Sequence, residues 1–461
     1  MSVGVSRSPP RAQAVGGGWR PPLVLTVALC AVAPMLVIAL LAGWRADQLS
    51  PLLTIELSNL QATQRLLATL FHPSSRGDSW LPMQQALQVL KGPHRGELYE
   101  TLFFHGHVRF QYPPTSLLWL EALTAFGRGS VFWLNALNSL VFLANAAAIG
   151  LAAWLFLRPT PAVSPPAISP GSRAALSLLA AALAFVFYPL VRAHLLGQIQ
   201  LWIDLAFTGA VVLWAMDRRL LAGALIGLAC TIKPQLGLLL LWGLLWREWR
   251  FVGGVVLTLA PVGVLSLLRY GLHDHLAYLG VLSFLSHHGE SFFANNSING
   301  LLNWYLAGED SLHWNEAAFT PYRPLVYLGT VCATLVFLAA VVLPPLLARG
   351  RKADLGDLAA AAICTVASSP VAWEHHYGLL APLFVLALAQ LLAQPAGPAH
   401  NWRALVLLAA WTLTANFIPF ASLAAGTPFV ALQAYCFFGA LLLLGLFLVR
   451  GGARVPVPAE T

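Results

Sequence analysis

Apolar residues run along this chain in long stretches with few interruptions. The main ones cover 22–43, 131–157, 176–191, 251–268, 325–347, 405–417 and 429–449. Several reach about 18 residues or more, enough or nearly enough to carry a helix through about 30 Å of hydrocarbon. The pattern predicts an all-α integral membrane protein. Polar residues collect between the runs, in short turns and in two longer segments, 44–130 and 269–323.

Composition sharpens this picture. Of 461 residues, 58% are hydrophobic and 10% charged, and the mean hydropathy is +0.72; a soluble domain carries about 25% charged residues. Cys30, Cys230, Cys332, Cys364 and Cys436 all fall inside apolar segments without metal-ligand spacing, so they read as small core hydrophobes rather than a disulfide frame or a zinc site. The net charge of +8 comes from Lys and Arg scattered singly between spans. That distribution suits topology signals and excludes a nucleic-acid surface. A basic leader with Arg7, Arg11 and Arg20 precedes the first run, which is too long for a signal h-region and reads as an uncleaved anchor.

Charge also orients the chain. Arg-rich turns stay in the cytoplasm, and the clearest are at 217–219, 247–250, 349–352 and Arg450 with Arg454. Joining them by even numbers of crossings gives about twelve transmembrane helices. The stretch 115–126 is then left as a re-entrant or interfacial helix. The layout is a cytoplasmic tail 1–21, a membrane domain 22–449 with long outward loops 44–130 and 269–323, and a cytoplasmic tail 450–461. Twelve of the thirteen histidines then fall outside or at the outer edge, with His400 inside.

Five polar constellations lie on that outward side. The first loop holds Gly77-Asp78-Ser79-Trp80, then a helical stretch 83–90, Gly92, Tyr99, and Tyr112-Pro113-Pro114 opening an apolar helix. Asp78 there is either a helix N-cap or a working carboxylate. The second is Gly197-Gln198-Ile199-Gln200 with Asp204 one turn on. The third is Lys233-Pro234 after the small-residue helix 222–229; the lysine either snorkels or faces a ligand where proline frees the backbone. The fourth, Asn295-Asn296-Ser297, reads as an Asx turn or a binding loop. The fifth is Trp373-Glu374-His375-His376-Tyr377, whose adjacent histidines lack the usual metal spacing, so neither metal nor cofactor is expected.

In this order and spacing, Gly77-Asp78, Tyr112-Pro113-Pro114, Gly197-Gln198, Ala222-Gly223 through Lys233-Pro234, Asn296-Ser297 with Gly300, and Ser369-Pro370 with 373–377 resemble glycosyltransferase family 87. The resemblance runs over nearly the whole chain. It implies a GT-C-type bundle, a multi-pass plasma-membrane enzyme, and a polyprenol-phosphate-mannose-dependent mannosyltransferase. It implies Asp78 as catalytic base and His375 or His376 at the donor phosphate.

The reaction implied moves a hexose from a polyprenyl-phosphate donor to a lipid or glycan hydroxyl at the outer face. Lys233, Arg109 and Arg192 are further cations for the phosphate. Gln198, Tyr112, Asn296 and Glu374 are further substrate-binding candidates. Inversion follows if one carboxylate acts; a retaining route would recruit Glu374 or Asp204. Trp80, Trp304, Trp314 and Trp373 are sugar platforms or interfacial anchors. The rivals are a lipid-linked oligosaccharide ligase or phosphoethanolamine-type transferase, and a transporter or flippase of a lipid-linked sugar. A transporter would keep its polar groups near mid-membrane, whereas Asp204 and Lys233 sit close to the outer ends of their spans.

Overall fold

The computed structural model describes residues 23–49, 58–93, 96–158, 168–308, 310–315, 318–347 and 350–449. The expected tails, 1–21 and 450–461, and most of the Pro-rich turn after Arg158 lie outside the described residues. Among those described, the chain is helical, with one isolated β-bridge between Asn295 and Trp373.

Six helices have the length and apolarity to cross a membrane: Leu23–Trp44, Val131–Phe156, Trp249–Tyr270, Pro324–Leu347, Glu374–Leu392 and Val430–Leu448. A bent pair, Pro170–Leu183 and Tyr188–Leu196, broken by 42°, is either one broken span or a re-entrant loop. Gln200–Ala215, Arg219–Cys230, Pro234–Leu245 and Leu355–Ala367 are apolar but shorter. At about 1.5 Å per residue, they cover roughly 18–24 Å each. Helices of full spanning length are therefore fewer than the twelve expected from sequence. The stretch 115–126 forms a nine-residue helix, Leu117–Ala125, about 14 Å long.

Local chemistry explains the irregular places. At the bend after Leu183, the carbonyls of Phe185 and Val186 leave the helical ladder. Thr63 Oγ1 donates to the first at 3.0 Å and Asn59 Nδ2 to the second at 3.1 Å. The helix Asn59–Phe71 of the first long loop thus supplies the donors a broken apolar helix needs. Asn59 Oδ1 also accepts from Phe417 N at 2.6 Å, tying in the start of the 418–427 loop.

Close helix contact rests on glycine. A Cβ at Gly223 would strike the carbonyl oxygen of Phe251, one at Gly254 that of Leu220, and one at Gly227 would lie 2.6 Å from that of Val255. Arg219–Cys230 and Trp249–Tyr270 therefore meet backbone to backbone, the small-residue mode of membrane helices. Next to this seam, Trp214, Trp242 and Phe251 form a buried aromatic cluster, with ring centroids 5.3–5.7 Å apart.

Two expectations about packing need correction. Cys230, Cys364 and Cys436 are buried, but Cys30 and Cys332 are exposed on the outside of the bundle. Trp80 and Trp304 are buried, with their indole N–H groups donating to Asn135 Oδ1 and to the Ser291 carbonyl. Neither is available as a sugar platform.

Candidate active site

The site is built on the turn 197–200, between the helices Tyr188–Leu196 and Gln200–Ala215. Gly197 ends the first of these at φ +70°, in the left-handed region. A side chain there would strike the carbonyl oxygen of Arg76 and come within 2.9 Å of Asn135 Oδ1. Glycine therefore lets the first long loop lie directly on the turn. Asp78 N donates to Leu196 O at 3.0 Å, and Asn135 Nδ2 donates to the carbonyls of Ser74 and Arg76, each at 2.7 Å.

On that turn, Gln198 Nε2 donates to Asp78 Oδ2. Ser79 Oγ donates to Gln198 Oε1 at 2.6 Å, accepts from Ile199 N at 3.1 Å, and lies 2.9 Å from the Tyr112 hydroxyl. Asn138 Nδ2 holds the Gln198 carbonyl at 3.2 Å. Ser79, not Asp78, occupies the N-cap position of the helix Trp80–Lys91, so the capping reading of Asp78 gives way to a carboxylate turned toward Gln198.

The Asp78 side chain is exposed, yet the protein around it is dense enough that burial raises its pKa; the Gln198 bond, then Arg192 and Arg76, pull it back down.

Two residues on, the same turn reaches a cation. Lys233 Nζ donates to Gln200 Oε1 at 2.7 Å, and Gln200 Nε2 donates to Asp204 Oδ1 at 2.8 Å. Lys233 stands at the proline break between Arg219–Cys230 and Pro234–Leu245, beside the exposed Pro234 and Gln235. Its ammonium points to a buried glutamine, which is not the snorkelling geometry. The first loop closes on this break through Thr115 Oγ1 to Thr231 O at 2.6 Å and Trp119 Nε1 to Thr231 Oγ1 at 3.0 Å.

His375 and His376 sit in the tight helical segment Glu374–Leu380 with rings 4.7 Å apart and nearly perpendicular. The charges of Lys233 and Arg192 both act on His375, and that of Lys233 on His376. Arg192 acts on Asp78 as well. Nδ1 of His376 is buried without a hydrogen-bond partner. The fold thus gathers Asp78, Tyr112, Gln198, Lys233, His375 and His376 from five distant stretches of chain.

Three candidates are placed differently. Asn296 spends its side chain on structure: Oδ1 accepts from Cys436 N at 3.0 Å, and Nδ2 faces the carbonyls of Phe293 and Ala294. Ser297 caps the next turn by accepting from Gly300 N, so this cluster follows the turn reading. Glu374 is buried and accepts from the Tyr435 hydroxyl at 2.6 Å.

Arg109 pins the loop around 315. It donates to the carbonyls of Ala318 at 2.7 Å and Asn315 at 3.1 Å, meets Glu290 at 3.5 Å, and covers the Phe319 and Trp314 rings. Trp314, 37% exposed, packs edge-on against Trp373 at 5.5 Å. These two are the tryptophans of the original four that remain at an accessible rim.

Sequence reasoning missed the parts that work through others. Ser79 stands in the Gly77-Asp78-Ser79-Trp80 run, yet nothing in the sequence gives it a role. Asn135 and Asn138 did carry a signal, two asparagines about one turn apart in an apolar run, where unpaired amides are costly.

The model of glycosyltransferase family 87 matches residues 110–372, more than half of the chain. The matched span includes Tyr112, Gln198, Lys233 and Asn296, while Asp78, Arg109, Glu374, His375 and His376 lie beyond its two ends. No curated protein matches the chain.

Proposed function

The chain belongs to glycosyltransferase family 87, and from that premise we propose that it transfers a hexose, mannose first among them, from a polyprenyl-phosphate donor to a lipid or glycan hydroxyl at the outer face of the plasma membrane. Membership makes it a membrane glycosyltransferase, an enzyme rather than a carrier of its donor. Its partners are then the sugar donor, the acceptor and the surrounding lipid. Both tails are cytoplasmic, and the shorter apolar helices complete the crossings in a bundle of the GT-C type.

In this reaction Asp78 takes the proton of the acceptor hydroxyl as its oxygen bonds to the anomeric carbon. The bond from that carbon to the phosphate oxygen breaks, and polyprenyl phosphate leaves with the electron pair. Lys233, Arg192 and the two histidines stabilise the charge growing on the phosphate. The observation that carries the reading is the accessible Asp78 bonded by Gln198, on the same turn whose Gln200 holds Lys233. Glu374 and Asp204 are buried and hydrogen-bonded, which favours one working carboxylate and inversion.

The donor's hydrocarbon chain has a candidate bed in the apolar groove of about 610 Å³ lined by the first span and its neighbours. Two of its lining residues, Phe187 and Ala381, directly adjoin the elements carrying Arg192 and His375.

The test is transfer of radiolabelled mannose from polyprenyl phosphate by purified protein, with a membrane lipid extract as acceptor, compared with Asp78→Asn. Transfer by wild type that disappears in the variant while donor binding persists supports the reading. Full activity in the variant removes Asp78 as base, and no transfer by wild type rejects this donor and acceptor pair.

A further inference from the structure

The hydrogen bonds around Asp78 leave little freedom in how they are directed. Ser79 Oγ receives the N–H of Ile199, so its own single proton is free to go outward, and the nearest acceptor is Gln198 Oε1 at 2.6 Å. The Tyr112 hydroxyl stands 2.9 Å from Ser79 Oγ and 3.4 Å from the same Oε1. Gln198 therefore keeps its oxygen toward donors and its N–H group toward Asp78. A flipped amide would set its oxygen against the carboxylate, a contact that only a protonated Asp78 relieves.

We propose that Ser79 is a positioning residue: it fixes the orientation of the Gln198 amide, which holds Asp78 ionised by one oxygen and leaves the other open to the acceptor. This rests on the reading of Asp78 as base. The serine itself is fully buried, so it acts through the glutamine and not on substrate. The other charged or titratable groups that act on Asp78 are Arg76 of its own loop, Arg192 of the helix Tyr188–Leu196, and the Tyr112 phenol. Of these only Tyr112 also reaches the amide, at 3.4 Å from Gln198 Oε1 against 2.6 Å for Ser79.

The test reads the carboxyl directly. In purified protein, the Asp78 carboxylic-acid band is isolated as the infrared difference between wild type and Asp78→Asn, and titrated with pH. Ser79→Ala is expected to move that midpoint upward by about one pH unit, the size of a weakened bond to a charged group. Ser79→Thr, which restores the hydroxyl, should bring it back. The discriminating pair is Gln198→Ala with and without Ser79→Ala: if the serine works through the glutamine, the second change adds no shift. An unmoved midpoint in Ser79→Ala, or an equal added shift when Gln198 is gone, overturns the proposal. The readout needs neither donor nor turnover, so transfer assays on the same preparations report separately whether Asp78 is the base.

Discussion

The ammonium of Lys233 donates to the side-chain oxygen of Gln200 at 2.7 Å, and Gln200 passes its own N–H to the buried Asp204. The glutamine links a carboxyl buried within the bundle to a lysine at its end. Holding the ammonium by one of three donors leaves two for a phosphate. Lys233→Met is expected to lower kcat/KM for transfer by about 10²–10³-fold, the usual cost of losing one transition-state donor. Asp204→Asn keeps volume and a hydrogen-bonding group and should cost less. A Lys233→Met protein that transfers at the wild-type rate removes the lysine from the site.

The raised pKa of Asp78 sets a pH dependence of both rate and stability. A base must be ionised, so transfer should fall as pH drops through its folded value, which lies above the ordinary carboxylate value of about 3.9. For stability the sign is opposite. The folded state holds the proton more tightly than the unfolded state, so this group's contribution is most favourable at low pH. It is lost as pH rises through the ordinary value to the raised one. Asp78→Asn should therefore slow transfer by roughly 10²–10⁴-fold while raising the unfolding temperature at neutral pH, with the gain fading in acid. Thermal unfolding of both proteins across pH checks this; a variant less stable at neutral pH contradicts it.

Much of this was legible because glycine and proline punctuate the sequence where the chain does something unusual. Gly197 marks the turn on which the first loop rests, Pro234 the break that presents Lys233, and the 373–377 run the pair of buried histidines. The number of crossings was less legible. Helices such as Arg219–Cys230, 12 residues long, are apolar like a span but too short to be counted by length. The contacts of Ser79 and Arg109 were illegible for a common reason. Their partners lie more than a hundred residues away, Gln198 for one and the 315–319 loop for the other, and local pattern carries no trace of them.

The glycine seam makes a sharper structural claim than apolar content does. Gly254→Ala places a methyl group into the carbonyl oxygen of Leu220, and Gly223→Ala does the same at Phe251, both backbone atoms that no rotamer change can move. Each is expected to destabilise the protein by about 1–3 kcal/mol, as overpacking does. Gly263→Ala in the same helix, with open space around its Cβ position, is the control and should be near neutral. Equal thermal stability of all three variants in detergent would mean that the two helices do not meet as described.

Arg109 separates a residue near the rim from one at the phosphate. Its guanidinium is enclosed by Phe319, Trp314, two backbone carbonyls and Glu290, and burial lowers its pKa, partly offset by that glutamate. Burial likewise raises the Glu290 carboxyl, with Arg109 as its main counterweight. Such a pair fastens two segments and leaves little of the cation for a ligand. Removing the arginine strands a buried acid and frees the loop carrying Trp314 from the 105–110 stretch. Arg109→Ala should therefore speed amide hydrogen exchange at 310–315 and 318–320, and reduce transfer less than Lys233→Met does. Because the glutamate is left without its partner, Arg109→Ala with Glu290→Gln should recover part of the lost protection. Unchanged exchange in Arg109→Ala, together with a collapse in donor affinity, would return this residue to the phosphate site.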